Sequence, residues 1–228
     1  MLSSYRHIVL LTGAGISQGA GLPTYRGPGG LWTAQRAREL ADVSALQTNR
    51  AEACAMFWDL ALASRRASPS RAHVALADFQ SRLPPDASFT LITQNVDGLH
   101  QRAGSRDVCE IHGSLARWTC ERCGHTLDAP DAPPSHCDEL MRPVATLFGE
   151  DLPLDALWQA KRALRDCDLF VAIGTSGSVE PAASFVRWAE LNHARRILLN
   201  LDAFTGAAEL FTDVDLGSAD DLVPRWFQ

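Results

Sequence analysis

The chain carries predominantly apolar runs of strand length at intervals: HIVLL at 7–11, FTLIT at 89–93, VCEI at 108–111, LFVAIG at 169–174 and RILLNL at 196–201, with VDLG at 214–217 as a weaker sixth. None alternates apolar with polar residues, so each is expected to be buried on both faces, as are the strands of a parallel sheet sandwiched between helices. Segments of helical length separate them at 51–66, 71–80, 155–165 and 182–193. This alternation predicts a doubly wound α/β domain. Two stretches break the pattern: the helical segment 36–69 and the Cys-, Pro- and Asp-rich segment 117–143, which has no strand-like apolar run. Together they are expected to form a smaller second module, leaving 1–35, 70–116 and 144–228 to the large one.

Composition narrows the picture without changing it. At 228 residues, 46% hydrophobic and 21% charged, the chain has the profile of a soluble globular protein with room for one full core and an insertion. A net charge of −6 with scattered basic residues argues against direct nucleic-acid binding. No apolar run approaches the roughly 18 residues of a membrane span, so no membrane partner and a cytoplasmic location are expected. Cys54, Cys109 and Cys167 stand singly in apolar segments and read as buried thiols, whereas Cys120, Cys123 and Cys137 cluster.

In a parallel sheet, ligands bind beyond the carboxyl ends of the strands. Here those ends run into polar loops: TGAGIS, TQNVDGLH, IHGS, GTSGS and NLD. The first opens a stretch with seven glycines in eighteen residues, which suits close backbone approach and a phosphate cradle of N–H groups. Gly13 and Gly15 begin a G-x-G-x-x-G pattern, but Gln18 holds its third position and the glycine follows at Gly19. Taken singly, each loop also reads as an ordinary turn, and His112 as a loop or core histidine.

Taken together, GAGIS…GLPTYRG..GLW, TQNVDGLH, IHGS, FGE, GTS and NLD occur in one order from about residue 7 to the end, and in this the chain resembles the sirtuin family of NAD-dependent protein deacylases. The resemblance implies a Rossmann-like doubly wound sheet, with a small domain made of a helical insertion and a zinc-ribbon-like insertion. It implies NAD as cosubstrate, an acyl-lysine protein or peptide as partner, and free lysine, nicotinamide and O-acyl-ADP-ribose as products. His112 falls at the family's general base, which takes a ribose hydroxyl proton after an imidate has formed, and Asn95 at a second catalytic position. Gly13, Ala14, Gly15 and Ile16, with Thr24, Tyr25, Arg26 and Trp32 further along the same loop, match cofactor-binding positions. Tyr25 stands where Phe is commoner. Gln94 would position the ribose, Asp97 would face the nicotinamide carboxamide, and Gly174, Thr175, Ser176, Asn200, Leu201, Asp202 and Ala219 match the adenosine side. The peptide would pair by its main chain between the 148–150 loop and GTSGSVEP. An NAD glycohydrolase, a mono-ADP-ribosyltransferase and a non-catalytic NAD-binding module are the competing readings, and His112 weighs toward deacylation.

Cys120 and Cys123 form a C-x-x-C knuckle, half of a structural zinc site. Cys137 falls at the family's fourth cysteine and Pro134 at its third, so the metal set is Cys120, Cys123 and Cys137 with a missing fourth ligand. Either His125, His136 or a nearby Asp serves, or the segment is a metal-free loop packed by Pro133 and Pro134; His136 adjoins Cys137, an arrangement that demands a strained turn. In AMFWDLALASRR the resemblance places Trp58 and Ala61 where acyl-carboxylate-removing sirtuins carry Tyr and Arg, implying apolar acyl groups.

Overall fold

A computed structural model describes residues 2–25, 30–31 and 34–228, so Arg26 and Trp32 lie outside the described residues. The strands are β1 His7–Thr12, β2 Ser88–Thr93, β3 Cys109–Glu110, β4 Gly113–Thr119, β5 Thr126–Asp128, β6 Ser135–His136, β7 Glu139–Leu140, β8 Arg142–Ala145, β9 Leu169–Ile173, β10 Arg195–Asn200 and β11 Asp213–Leu216. The helices are α1 Gln35–Leu40, α2 Ala45–Thr48, α3 Arg50–Arg66, α4 Arg71–Arg82, α5 Leu99–Arg102, α6 Leu154–Arg165, α7 Phe185–Leu191, α8 Ala207–Leu210 and α9 Ala219–Trp226.

Six strands form one sheet in the order β11-β10-β9-β1-β2-β3, and every pair is parallel. The central strand β1 is buried along its whole apolar run because its residues face helices on both sides. Ile8 and Leu10 pack with Leu76 and Phe79 of α4 and Leu222 and Val223 of α9. Val9 and Leu11 pack with Ala160 and Leu164 of α6 and Phe185 and Ala189 of α7. This is why the runs lack polar alternation. The chain moves outward from β1 through β2 and β3 on one side, and through β9, β10 and β11 on the other. The direction of winding therefore reverses between β1 and β9, and a crevice opens there at the carboxyl ends.

The segment 117–143 departs from expectation. It contributes strands: β4 pairs antiparallel with β5 and β8 in a three-stranded sheet, and β6 pairs with β7 in a hairpin. Several of these strands are only two to four residues long, too short to leave a periodic signature. The small sheet packs on α3, where Phe57, Trp58 and Ala61 meet Leu115, Trp118, Met141 and Leu147. Cys54, Cys109 and Cys167 are buried, in keeping with their apolar settings.

Candidate active site

The crevice is built first from glycines. The Gly13 N–H donates to Ile173 O at 3.0 Å and the Gly15 N–H to Gly174 O at 2.9 Å, so the loop after β1 lies directly on the loop after β9. A Cβ on Gly13 would sit 2.7 Å from Gly174 O, and one on Gly15 would sit 2.6 Å from Gly174 Cα. These glycines are thus required by contact between two backbone segments, before any ligand is considered. The residues after Gly13 form a seven-residue 3₁₀ helix, Ala14–Ala20.

A cavity of about 720 Å³ follows the crevice and is lined by Gly13, Ala14, Gly15, Thr24, Tyr25, Gln94, Asn95, His112, Gly174, Thr175, Ser176, Asn200, Leu201, Asp202 and Ala219. Asp97 lines a small adjoining cavity with Ala14, Ser17, Tyr25 and Asn95. Ile16 lines neither; it is fully buried in the core beneath the loop. The glycine loop, the polar loop after β2 and the loops after β9 and β10 therefore meet in one place.

Ser17 ties the inner end together and was missed in the sequence, although it directly follows Ile16. Its hydroxyl donates to Asp97 Oδ2 at 2.7 Å and accepts from Asn95 Nδ2 at 3.1 Å. Asn95 Nδ2 also donates to Gly13 O at 3.1 Å, and the Asn95 N–H donates to Thr93 Oγ1 at 3.1 Å. With its amide so fixed, Asn95 is left with a buried Oδ1 that has no partner among the described residues. A buried carbonyl oxygen without a donor is costly, and this one borders both cavities, which suits a ligand that brings a donor. Tyr25 is held above the ordinary tyrosine range by burial and by the Asp97 charge.

His112 lies in the loop between β3 and β4, with Nδ1 2.9 Å from Gln94 O. A carbonyl only accepts, so the proton sits on Nδ1 and Nε2 is left as the basic nitrogen. Burial pushes the imidazole below its ordinary pKa, and the Gln94 bond opposes this only in part. The Gln94 side chain turns the other way and donates to Thr175 Oγ1 at 2.9 Å. In the loops after β9 and β10, Asn200 Nδ2 donates to Thr175 O at 3.0 Å and to Asp202 O at 2.9 Å.

The opposite wall is apolar: Ala41, Phe57, Leu60, Val96, Leu115 and Leu147 line it. Here the expectation from sequence is corrected by one position on α3. Trp58 and Ala61 turn into the small-module core, where Trp58 packs edge-on against Trp118 at 5.6 Å and lies under the Arg65 guanidinium. Phe57 and Leu60 take the cavity side.

Away from this cleft, the cysteine cluster acquires a fourth member. The hairpin of β6 and β7 turns through Cys137 and Asp138, both at positive φ (51° and 64°), the geometry of a type I′ turn. This is the strained turn that lets neighbours converge: His136 Nδ1 lies 3.2 Å from Cys137 Sγ and 3.4 Å from Cys123 Sγ. Cys123 Sγ and Cys137 Sγ are 3.7 Å apart, and the ligand atoms of Cys120, Cys123, His136 and Cys137 all fall within 4.8 Å of one another. Tetrahedral thiolates about 2.3 Å from zinc lie about 3.8 Å apart, so the donor set fits that ion. His125 stacks on the His136 ring and stays outside the set.

A doubly wound sheet with a switch-point cleft, a glycine loop and a Cys/His module beside it defines a nucleotide-binding α/β protein of two-module type. Residues 13–181 match the model of the Sir2 family, and the chain belongs to that family. The NAD-dependent protein deacylase 2 of Pyrobaculum aerophilum is 41% identical, over 99% of this chain and 91% of that protein. The NAD-dependent protein deacylase of Aquifex aeolicus is 42% identical, over 85% and 83%. Among solved structures, a Sir2 homologue–NAD complex superposes with a TM-score of 0.88 at 34% identity, covering 99% of this chain and 90% of that one. A Sir2 complex with deacetylated p53 peptide and 3′-O-acetyl ADP-ribose superposes at 0.87 with 29% identity, covering 98% and 93%.

Proposed function

We propose that this chain is an NAD-dependent protein lysine deacylase that transfers the acyl group of an acyl-lysine to ADP-ribose and releases nicotinamide. The observation that carries the reading is the pairing, in one cleft, of a histidine with its Nε2 left basic and an asparagine with a buried, unpartnered Oδ1. NAD supplies a cationic leaving group and an electrophilic ribose carbon. Asn95 and Asp97, locked together through Ser17, would hold the nicotinamide end. His112 would accept a ribose hydroxyl proton at Nε2, since its Nδ1 proton is committed to Gln94. The loops bearing Gly174, Thr175, Asn200 and Asp202 would hold the adenosine half. The acyl-lysine would enter along the apolar wall of Phe57, Leu60 and Leu147, its main chain pairing beside the 148–150 loop.

Cys120, Cys123, His136 and Cys137 would hold a structural zinc ion that organises the small sheet, a role supported by their spacing. We assign 36–69 and 117–143 to a small domain and the remainder to the nucleotide-binding domain, a division supported by the separate core of α3 with the small sheet. Six free thiols suit a reducing compartment such as the cytoplasm. The decisive experiment is mass spectrometry of products formed from NAD and an acetyl-lysine peptide. O-acetyl-ADP-ribose with free lysine is expected; ADP-ribose alone would favour the glycohydrolase reading.

A further inference from the structure

The wall of the cleft nearest the small module is a four-residue turn: Leu147, Phe148, Gly149 and Glu150 all line the cavity. Its backbone is pinned at one end, where the Phe148 N–H donates to Ala41 O and the Val43 N–H to Phe148 O, each at 2.9 Å. At the other end the Glu150 N–H donates to Leu147 O at 3.1 Å, and the turn is further held by a partly buried ion pair. Arg142, at the start of β8, makes a bidentate contact with Glu150, Nη1 to Oε1 at 2.5 Å and Nη2 to Oε2 at 2.8 Å. Its side chain is only 10% exposed. Glu150 Oε2 also accepts from the Leu147 N–H at 2.8 Å, closing the turn on itself. Arg142 Nη2 further donates to Ala145 O at 2.9 Å, fixing the guanidinium plane against β8.

The same guanidinium faces the metal knuckle. Glu121, between Cys120 and Cys123, places Oε1 3.6 Å from Arg142 Nη1 and accepts from Arg50 Nη1 at 2.8 Å through Oε2. Arg50 in turn donates from Nε to Leu140 O at 2.9 Å, next to the Cys/His hairpin. The chain of contacts thus runs from the knuckle, through one arginine, into the turn that walls the cleft. A planar fork that meets two carboxylates is well suited to this; a lysine offers no second parallel bond.

We infer that Arg142 is a positioning residue for the acyl-peptide side of the cleft: it sets the 147–150 turn through Glu150 and ties that turn to the Cys120–Cys123 knuckle through Glu121. This rests on the deacylase reading only for the identity of the ligand beside the turn. Among the described residues the side-chain hydrogen bonds and ion pairs of Arg142 and Glu150 run to 121, 143, 145 and 147 and to each other rather than to the loops after β1, β9 or β10, so the pair's loss should separate the two substrates. A residue that merely stabilised the fold would weaken both together.

The test compares Arg142→Lys, Glu150→Gln and Glu121→Gln with the parent, reading hydrogen exchange at residues 146–150, KM for an acetyl-lysine peptide, and NAD affinity by calorimetry. Expected are faster exchange in the turn and a peptide KM raised about tenfold for R142K and E150Q, with NAD affinity within about twofold. E121Q should shift the same readouts in the same direction by less. Glu150→Gln keeps the side chain's shape and serves if the arginine variant folds poorly. Unchanged exchange in the turn, or peptide and NAD affinities falling in parallel, would overturn the inference; an inert E121Q would remove the link to the knuckle. Should the parent yield no O-acetyl-ADP-ribose, the deacylase reading fails, and hydrogen exchange still decides the role of Arg142.

Discussion

The imidazole of His112 is oriented by the backbone of Gln94: Nδ1 lies 2.9 Å from its carbonyl oxygen, while the Gln94 side chain reaches away to Thr175. One residue therefore links the proposed base to the loop after β9, and the tautomer is set by an acceptor that cannot itself titrate. Because burial lowers the His112 pKa from its ordinary value of 6.5, the neutral, proton-accepting form should persist into mildly acid solution. Activity should be complete above the histidine pKa and fall as pH drops through it, giving an acid limb in kcat/KM with a midpoint below 6.5. His112→Ala should keep NAD binding and lose roughly 10²- to 10⁴-fold in turnover. A variant that deacylates at the parent rate would remove the base assignment.

Gly15 should matter to the fold as much as to the ligand. A side chain there meets Gly174 Cα at 2.6 Å and its carbonyl oxygen at 2.9 Å, and Gly174 itself sits at φ +60°. Gly15→Val should therefore lower the melting temperature of the ligand-free protein by several degrees, about 1–3 kcal/mol of overpacking, and abolish NAD affinity as the two loops part. An unchanged melting temperature with lost affinity would place the clash on the ligand instead.

The Cys/His cluster should carry about one zinc per chain by metal analysis. His136→Ala should leave three thiols and release the ion to a chelator faster, by about tenfold or more, whereas His136→Cys should retain it. Equal release rates in parent and alanine variant would exclude His136 as a ligand. The tight hairpin also implies that Asp138→Gly is tolerated, because glycine accepts the positive φ that Asp138 adopts.

The apolar wall should set the acyl preference. Among the described lining residues there is no lysine or arginine, Glu150 is already paired with Arg142, and Glu180 and Asp202 add negative charge. A succinyl carboxylate would enter without a cationic partner. Acetyl- and butyryl-lysine peptides should be processed at least about tenfold better than the succinyl peptide in kcat/KM, roughly 1.4 kcal/mol. Leu60→Arg, on the cavity side of α3, should narrow that gap. Faster removal of succinyl by the parent would sink this reading.

Much was legible in the chain because the relevant signals are local. Strand-length apolar runs mark the strands of the large sheet, and the polar loops that follow them carry Asn95, Asp97, His112 and Asn200, whose roles the resemblance to the sirtuin family implied. A residue at the end of a buried parallel strand has few places to be other than the cleft.

What the contacts between distant segments decide was not legible. Helix α3 is apolar around much of its circumference, so its sequence does not set its rotation; Trp118 does, by drawing Trp58 inward and leaving Phe57 and Leu60 to the cavity. Gly15 is marked in the sequence as a close approach, but only the parallel packing of β1 on β9 reveals Gly174 as its neighbour. The fourth metal ligand depended on the sign of two φ angles at Cys137 and Asp138, which neither residue type announces. The Arg142 link joins residues 121 and 150, in the turns after β4 and β8, to residue 142 at the start of β8. Periodicity and motif are written along one backbone; helix rotation, close approach and convergence of ligands arise only when segments far apart in the chain come to share the same space.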